Sequence, residues 1–218
     1  MKIKEIELCS DDLKATERFY KKVLDVGQFW KGDNRLSFFA GSTKITFHRS
    51  DNSHPVYHLA FDIPHNQLDQ ALAWLSQRTD IIPVSDTETI ADFANWAAKS
   101  FYFHDNNGNI LEFICRFAVS NASDAPFGGS SILYVSEMGL VTDDVAGVCK
   151  QIKTKYGLSF FTRQQPTEKF SAMGDDYGLL IIVDSHRNWY PTQQPSRPFP
   201  LKLVFDGPKD ANQVLRFP

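Results

Sequence analysis

The chain has 218 residues, of which 42% are hydrophobic, enough to build one large or two small folded domains. A net charge of −3 argues against binding to nucleic acid or to an anionic membrane surface. The first residues lack a signal-peptide pattern, apolar stretches are shorter than a membrane span, and the three cysteines are widely spaced, so we expect a cytoplasmic protein.

The first fifty residues predict a β-α-β-β-β unit. Residues 3–9 alternate between apolar and polar side chains, which is typical of a half-buried strand with Glu5 and Glu7 on its polar face. Asp11 or Asp12 can cap the helix that follows. The remaining strands of this unit are predicted near 28–31, 34–40 and 43–49.

A second unit begins near residue 56 and predicts the same order of elements. His58 and Asp62 lie on the polar face of its first strand, opposite Leu59 and Phe61. Asn66 is expected to cap the helix that follows. The rest of the unit is predicted as a strand and a long loop over 79–100, followed by strands at 100–104 and 109–117.

The second half of the chain predicts an incomplete copy of the first. Residues 118–130 have the composition of a linker. The third unit is predicted as strand 132–141, helix 143–156 and strands 158–163, 169–174 and 178–184. A fourth unit starts with strand 201–205, but too few residues follow it for a helix and three strands. We therefore expect one domain over 1–117 and a truncated one over 131–218.

Two pairs of similar segments support this repeat. Residues 5–12 return as residues 137–144, and residues 57–64 return as residues 201–208. Segments that recur with the same alternation indicate copies of one supersecondary unit. Repeats therefore indicate which polar positions correspond between the copies.

Three side chains of the first half are candidate metal ligands. If its two units close one curved sheet, Glu5, His58 and Glu112 all face the concave side. Three oxygen or nitrogen ligands with positions left open are what a catalytic divalent cation requires.

The chain resembles the vicinal oxygen chelate superfamily, which includes glyoxalase I, extradiol ring-cleaving dioxygenases, fosfomycin-resistance thiol transferases and bleomycin-binding proteins. The resemblance is carried by residues 3–24, 58–61 and 101–113, the last with an aromatic strand, an Asp-x-x-Gly turn and a Leu-Glu pair. It implies an α+β fold of paired β-α-β-β-β modules that form curved, cup-like mixed sheets. The family's ligand positions fall on Glu5, where the family most often has histidine, and on His58 and Glu112.

The resemblance implies an enzyme that uses a divalent metal ion (Fe, Zn, Ni or Mn) to chelate neighbouring oxygens of a small organic molecule. One histidine and two carboxylates differ from the two-histidine, one-carboxylate set of ring-cleaving enzymes, which weakens that interpretation. Glyoxalase-type and dioxygenase-type chemistry both stay open. A glyoxalase-like fourth ligand falls near Thr46. In the second half the positions are Glu137 and Lys202, and we expect no metal there because a charged lysine cannot ligate.

Other residues near this site have expected roles. Tyr102 can donate a hydrogen bond to a developing oxyanion, and His104 or Glu7 can move a proton, although a histidine beside a turn is also typical of a surface residue. The alternatives are a non-catalytic small-molecule binder of the bleomycin-resistance type and, less consistent with an acidic face, a thiol transferase. The expected partner is a small molecule, and the expected state is a monomer or a homodimer.

Overall fold

The computed structural model describes residues 1–51 and 53–217, and these residues form three α-helices and fourteen strands. The helices are α1 (Leu13–Lys22), α2 (Leu68–Ser76) and α3 (Val145–Tyr156). The strands are β1 (Lys2–Ser10), β2 (Phe29–Gly32), β3 (Arg35–Ala40), β4 (Thr43–Arg49), β5 (His58–Asp62), β6 (Ile81–Ile82), β7 (Ala91–Phe93), β8 (Ala98–His104), β9 (Ile110–Arg116), β10 (Tyr134–Thr142), β11 (Phe170–Asp175), β12 (Gly178–Asp184), β13 (Leu201–Asp206) and β14 (Gln213–Phe217). The mixture of strands and helices confirms the predicted α+β class.

Each of the two sheets combines strands from both halves of the chain. Sheet I has the order β14-β13-β1-β4-β3-β2. Sheet II has the order β11-β12-β10-β5-β9-β8-β6, and β7 also pairs with β8. In sheet I, β1 pairs antiparallel with β13 and parallel with β4. In sheet II, β10 pairs in the same way with β5 and β12.

The pairing joins the first unit to the fourth and the second unit to the third. The expected single sheet within residues 1–117 is therefore wrong, and the boundary between 1–117 and 131–218 does not separate the two sheets. Residues 118–130 are not a free linker, since Phe127 packs against Phe113 and Asn121 donates a hydrogen bond to Asp62. The truncated fourth unit completes sheet I with β13 and β14.

The apolar faces of the two sheets and the three helices pack into one core. It contains Ile6 and Leu8 from β1, Phe61 from β5 and Phe113 from β9, all at most 1% exposed. Because side chains alternate along a strand, burying these residues turns their polar neighbours to the opposite face of each sheet. The alternation read from the sequence is thus confirmed in β1, β5 and β9.

The helix cap predicted from the sequence is confirmed where its hydrogen-bond partners are close in sequence. Asp12 caps α1 as expected, since its side chain accepts hydrogen bonds of 2.9 Å from the backbone of Lys14 and Ala15. Asn66 does not cap α2; its side chain binds the backbone of Ser123 instead.

The strand predicted at 158–163 is reduced to one isolated bridge. Within residues 1–51 and 53–217, no helix is long and apolar enough to cross a membrane.

Candidate functional site

Two parallel strands of sheet II, β5 and β9, supply the first part of a polar cluster. In β5, Leu59 is buried in the core and His58 lies on the other face. In β9, Phe113 is in the core and Glu112 lies on the other face, with Ala60 as its register partner. Strand alternation therefore brings His58 and Glu112 to the same side of the sheet.

The third member, Glu137, comes from β10, the first strand of the third unit. Val135 pairs with Phe61 and Glu137 with Ala60, so the register contains a bulge between Val135 and Glu137. A bulge bends a strand and re-aims the side chains next to it. The same irregularity precedes Glu5 in β1, which shows that the bulge belongs to the repeated unit.

His58, Glu112 and Glu137 form a buried group whose ligand atoms all lie within 4.8 Å of one another. Nε2 of His58 is 3.5 Å from Oε2 of Glu112, and Nδ1 lies 3.1 Å from the carbonyl oxygen of Ile110. Burial lowers the pKa of His58 to about 4, so the imidazole is neutral at pH 7. If Nδ1–H donates to the carbonyl, the lone pair of Nε2 is free to ligate.

Around His58, Glu112 and Glu137, the acidic side chains outnumber the basic ones. Arg116 is fully buried; it contacts Glu137, and its Nε is 3.3 Å from a carboxylate oxygen of Asp62. Burial raises the pKa of Glu112 to about 8, and the charge of Glu137 adds to the effect. Burial also raises the pKa of Asp62 to about 7, although Arg116 opposes the shift. Both shifts arise mainly because burial removes water from the carboxylates, and the positive charge of Arg116 only partly opposes them.

The donor set and its charge fit a divalent cation. If Asp62, Glu112 and Glu137 are ionised, they carry three negative charges against the one positive charge of Arg116 among the described residues of the cluster. A divalent ion would bring this sum to zero. One imidazole nitrogen and two carboxylates are also ligands that Mn, Fe, Ni and Zn accept.

The group lies in a cavity of about 230 Å³ with largely aromatic walls. The Trp189 ring centroid is 5.4 Å from that of His58. Gly139 leaves room for Trp189, because a Cβ on Gly139 would lie 2.5 Å from the indole. The aromatic residues of the lining are Phe93, Trp96, Tyr102, Phe170, Trp189 and Tyr190.

Comparisons of the sequence find no match, whereas comparison with solved structures finds chains of the same fold. No family model matches the chain, and a search of curated proteins also finds no match. The "putative dioxygenase" from Bacillus subtilis has a TM-score of 0.60 with 15% identity, over 98% of this chain and 68% of that one. Glyoxalase I from Zea mays has a TM-score of 0.54 with 13% identity, over 84% of this chain and 66% of that one.

The chain has the vicinal oxygen chelate fold. The resemblance suggested by the sequence is thereby confirmed at the level of fold. The chain spans about two thirds of the length of each of these two structures.

Within the vicinal oxygen chelate fold, Tyr102 is placed as the sequence predicted. It lies on β8 directly opposite Glu112 and lines the cavity. Burial raises the pKa of Tyr102 well above its usual value, and the nearby charge of Glu112 adds to this. The phenol therefore keeps its proton at neutral pH and can act as a hydrogen-bond donor.

The other expected site residues lie outside the cavity. Glu5 is in sheet I, where it accepts a hydrogen bond of 2.9 Å from Lys44. Glu7, also in sheet I, contacts Lys202 and lies 2.9 Å from Nε2 of His48. His104 is exposed at the end of β8. The expectation that Glu5 and Glu7 converge with His58 and Glu112 is thus wrong, because the first unit pairs with the fourth.

Glu137 occupies the place that the sequence had given to Glu5. The repeat relating residues 5–12 to 137–144 pointed to Glu137, but no metal was expected in the second half, because its other position is Lys202. That expectation assumed that each half forms its own site.

The two sheets use equivalent positions differently. Glu137 and His58 of sheet II correspond to Glu5 and Lys202 of sheet I, judged by their registers around the two bulges. Lysines neutralise the carboxylates of sheet I, whereas the sheet II cluster opens into the cavity. The position of Thr46, considered for a fourth ligand, corresponds to the aliphatic Ile181. The donor set at this cavity therefore stays at three.

Proposed function

We propose that this protein is a divalent-metal-dependent enzyme acting on a small, oxygen-bearing organic molecule, with His58, Glu112 and Glu137 as the metal ligands. One observation carries the proposal: an imidazole and two buried carboxylates place ligand atoms within 4.8 Å of one another at the wall of a cavity. Buried charges of one sign are costly unless they are paired or bind a metal. A protein with no use for an ion would gain stability from apolar residues here.

The ligand types favour Lewis-acid chemistry. The site has one histidine and two carboxylates, whereas the non-haem iron oxygenases commonly use two histidines and one carboxylate. When bound, the metal would polarise neighbouring oxygens of the substrate and stabilise an enolate-like anion. We therefore place glyoxalase-type Lewis-acid chemistry ahead of oxidative ring cleavage for this chain.

The other residues of the cavity would position the substrate and control its environment. Tyr102 would donate its phenolic hydrogen to an oxygen on which negative charge develops. Trp189 and the other aromatic walls would exclude water, which strengthens electrostatic interactions inside the cavity. Glu7 and His104 have no part in this proposal, because they lie outside the cavity.

Metal binding by purified protein tests the proposal. The chain is stripped with a chelator, and uptake of Mn(II), Fe(II), Ni(II) and Zn(II) is measured by calorimetry and by elemental analysis. We expect near-stoichiometric uptake of at least one ion, and at least about a tenfold loss of affinity in the Glu137→Gln and His58→Ala variants.

Glu5→Gln is the matched control, because Glu5 holds the equivalent place in sheet I. It should bind metal as well as the unaltered protein does. Loss of the metal from Glu5→Gln with retention in Glu137→Gln would contradict this site assignment. Failure of the unaltered protein to bind any of the four ions would contradict the proposed activity.

The second candidate function is non-catalytic binding of a small aromatic molecule. The observation in its favour is the cavity wall, in which Trp189, Tyr190 and Phe93 belong to a continuous aromatic lining. The raised pKa of Glu112 would let protonation take the place of an ion. If this function is correct, removing metal ions with a chelator leaves ligand binding unchanged. If the ligand binds through a metal ion, the same treatment weakens its binding.

A further inference from the structure

One cation of the cavity has no acidic partner. Arg187 follows β12 and is half-buried in the cavity lining, with its guanidinium carbon 5.2 Å from the ring centroid of Phe170. Across residues 1–51 and 53–217, no carboxylate oxygen lies within 4.0 Å of its nitrogen atoms. Its one side-chain hydrogen bond there joins Nε to the carbonyl oxygen of Asn188 at 3.4 Å, which leaves the two terminal NH₂ groups free.

Two other arginines show what a paired guanidinium looks like in this protein. Burial acts to lower the pKa of Arg116, but the charges of Glu137 and Asp62 outweigh it and raise the pKa. Arg163 pairs with Asp176. Arg187 has only the first effect: burial lowers its pKa. A partly desolvated guanidinium without a counterion is the arrangement expected where an anion has yet to bind.

The backbone of Arg187 is held in place independently of any ligand. Oγ of Ser196 lies 3.0 Å from the carbonyl oxygen of Arg187 and 2.8 Å from that of Asp184, so the two acceptors share its one proton. The amide of Ser196 also donates to the carbonyl oxygen of Arg187 at 2.9 Å. A fixed backbone reduces the entropy lost when the guanidinium binds, so the group is partly preorganised.

The cavity therefore has acidic groups at one end and a cation at the other. The carboxylates of Glu112 and Glu137 are at most 4% exposed and form its deep end, whereas Arg187 and the exposed Tyr190 lie nearer to solvent. Aromatic rings line the space around these groups. At about 230 Å³ the cavity is smaller than the roughly 300–1,000 Å³ of sites for drug-sized ligands. It suits a molecule with a single ring.

We propose that Arg187 binds the carboxylate of a single-ring aromatic substrate whose ring packs against the aromatic walls. A guanidinium can hold a carboxylate through two parallel hydrogen bonds. A phosphate would bring about two negative charges towards an already acidic cavity, in which Arg187 is the one unpaired cation among the described lining residues. A carboxylate is therefore the better match. The placement of other substrate oxygens at the deep end depends on the proposed function. The binding of the carboxylate by Arg187 does not.

Benzoate and benzamide test this inference on chelator-treated protein. They share a ring and differ in charge, and neither needs a metal. Binding is measured by calorimetry and by quenching of tryptophan fluorescence, since Trp96 and Trp189 line the cavity. We expect benzoate to bind at least about tenfold more tightly than benzamide. In Arg187→Met this preference should fall to about one, and Arg187→Lys should restore part of it.

Arg18→Met, an exposed arginine on α1, removes the same charge elsewhere and should keep the benzoate preference. Circular dichroism and thermal melts check that each variant is folded. Equal affinity for the two probes, no binding of benzoate, or a preference that survives in Arg187→Met would each overturn the inference. Because the protein is free of metal, failure of the proposed metal site would leave this result unchanged, and the two failures are distinguishable.

Discussion

Raising the pH should destabilise the metal-free protein, and the buried carboxylates give the sign and the size of the effect. Burial raises the pKa of Glu112 from 4.5 to about 8 in the folded chain, whereas in the unfolded chain the group is exposed to water. Between these two pH values the folded state holds a proton that the unfolded state has lost. The stabilising contribution is therefore complete below about pH 4.5 and is lost as the pH rises through about 8.

The magnitude follows from proton linkage. A proton bound only in the folded state changes the stability by about 1.4 kcal/mol per pH unit, and half of this proton is lost by about pH 8, so the step from about pH 6 to about pH 8 should remove about 2 kcal/mol. Asp62, with its pKa raised to about 7, should add to the loss, whereas His58, with its pKa lowered to about 4, should offset about 1 kcal/mol of it between pH 6 and pH 7. Since a domain has a total stability of roughly 5–15 kcal/mol, the loss is large enough to measure.

Urea denaturation of chelator-treated protein at pH 6, 7 and 8 measures this effect. Glu112→Gln, which has the shape of the protonated acid and cannot ionise, should show a clearly smaller decline. Saturation with a metal should also reduce the decline, because the ion stabilises the ionised carboxylates. A free energy of unfolding that stays level or increases from pH 6 to pH 8 would refute the reasoning. An equal decline in Glu112→Gln would refute the assignment to this residue.

Arg116→Met should lower the free energy of unfolding by about 3–5 kcal/mol in urea denaturation, because it leaves the buried carboxylates of Glu137 and Asp62 without their counterion. Gly139→Ala should cost about 1–3 kcal/mol and change the tryptophan emission spectrum, because the added Cβ would lie 2.5 Å from Trp189. Metal affinity, measured by calorimetry, should rise by up to about tenfold per pH unit for each proton released between pH 6 and pH 8.

Each of these predictions has a control. Arg163→Met breaks a partly exposed pair with Asp176 and should cost about 1 kcal/mol or less; an equal cost at Arg116 would contradict the role of burial. Gly27→Ala is the control for Gly139→Ala, because a Cβ on Gly27 has open space around it. An unchanged emission spectrum in Gly139→Ala would argue against close packing of Trp189. A metal affinity that is independent of pH would show that the ligands are already ionised in the metal-free protein.

Local pattern accounts for what was predicted correctly. Alternation along β5 and β9 identified the faces of His58 and Glu112, because side-chain direction in a strand depends only on neighbouring residues. The cap was narrowed to Asp11 or Asp12 for the same reason, and the structure shows Asp12, whose partners lie two and three residues ahead. Tyr102 was assigned to the cavity side from its place in an alternating strand.

Contacts distant in sequence account for what was missed. The sequence did not predict a role for Arg116 or Arg187. The role of an arginine in a strand or a turn depends on which acidic groups the fold places beside it. Asn66 was predicted to cap α2, yet its side chain binds Ser123, which is 57 residues away. The failed cap shows that a tertiary partner can outcompete a local one.

The amino-acid sequence by itself determined the repeated unit, the faces of its strands and the kinds of ligand that those faces offer. Only the tertiary structure decided which copies pair. Equivalent strands carry the same alternation, so local pattern allows β1 or β10 to lie beside β5, and the choice depends on packing of the whole core. That choice placed Glu137 rather than Glu5 with His58 and Glu112, and it left Glu5 neutralised by Lys44 in the other sheet.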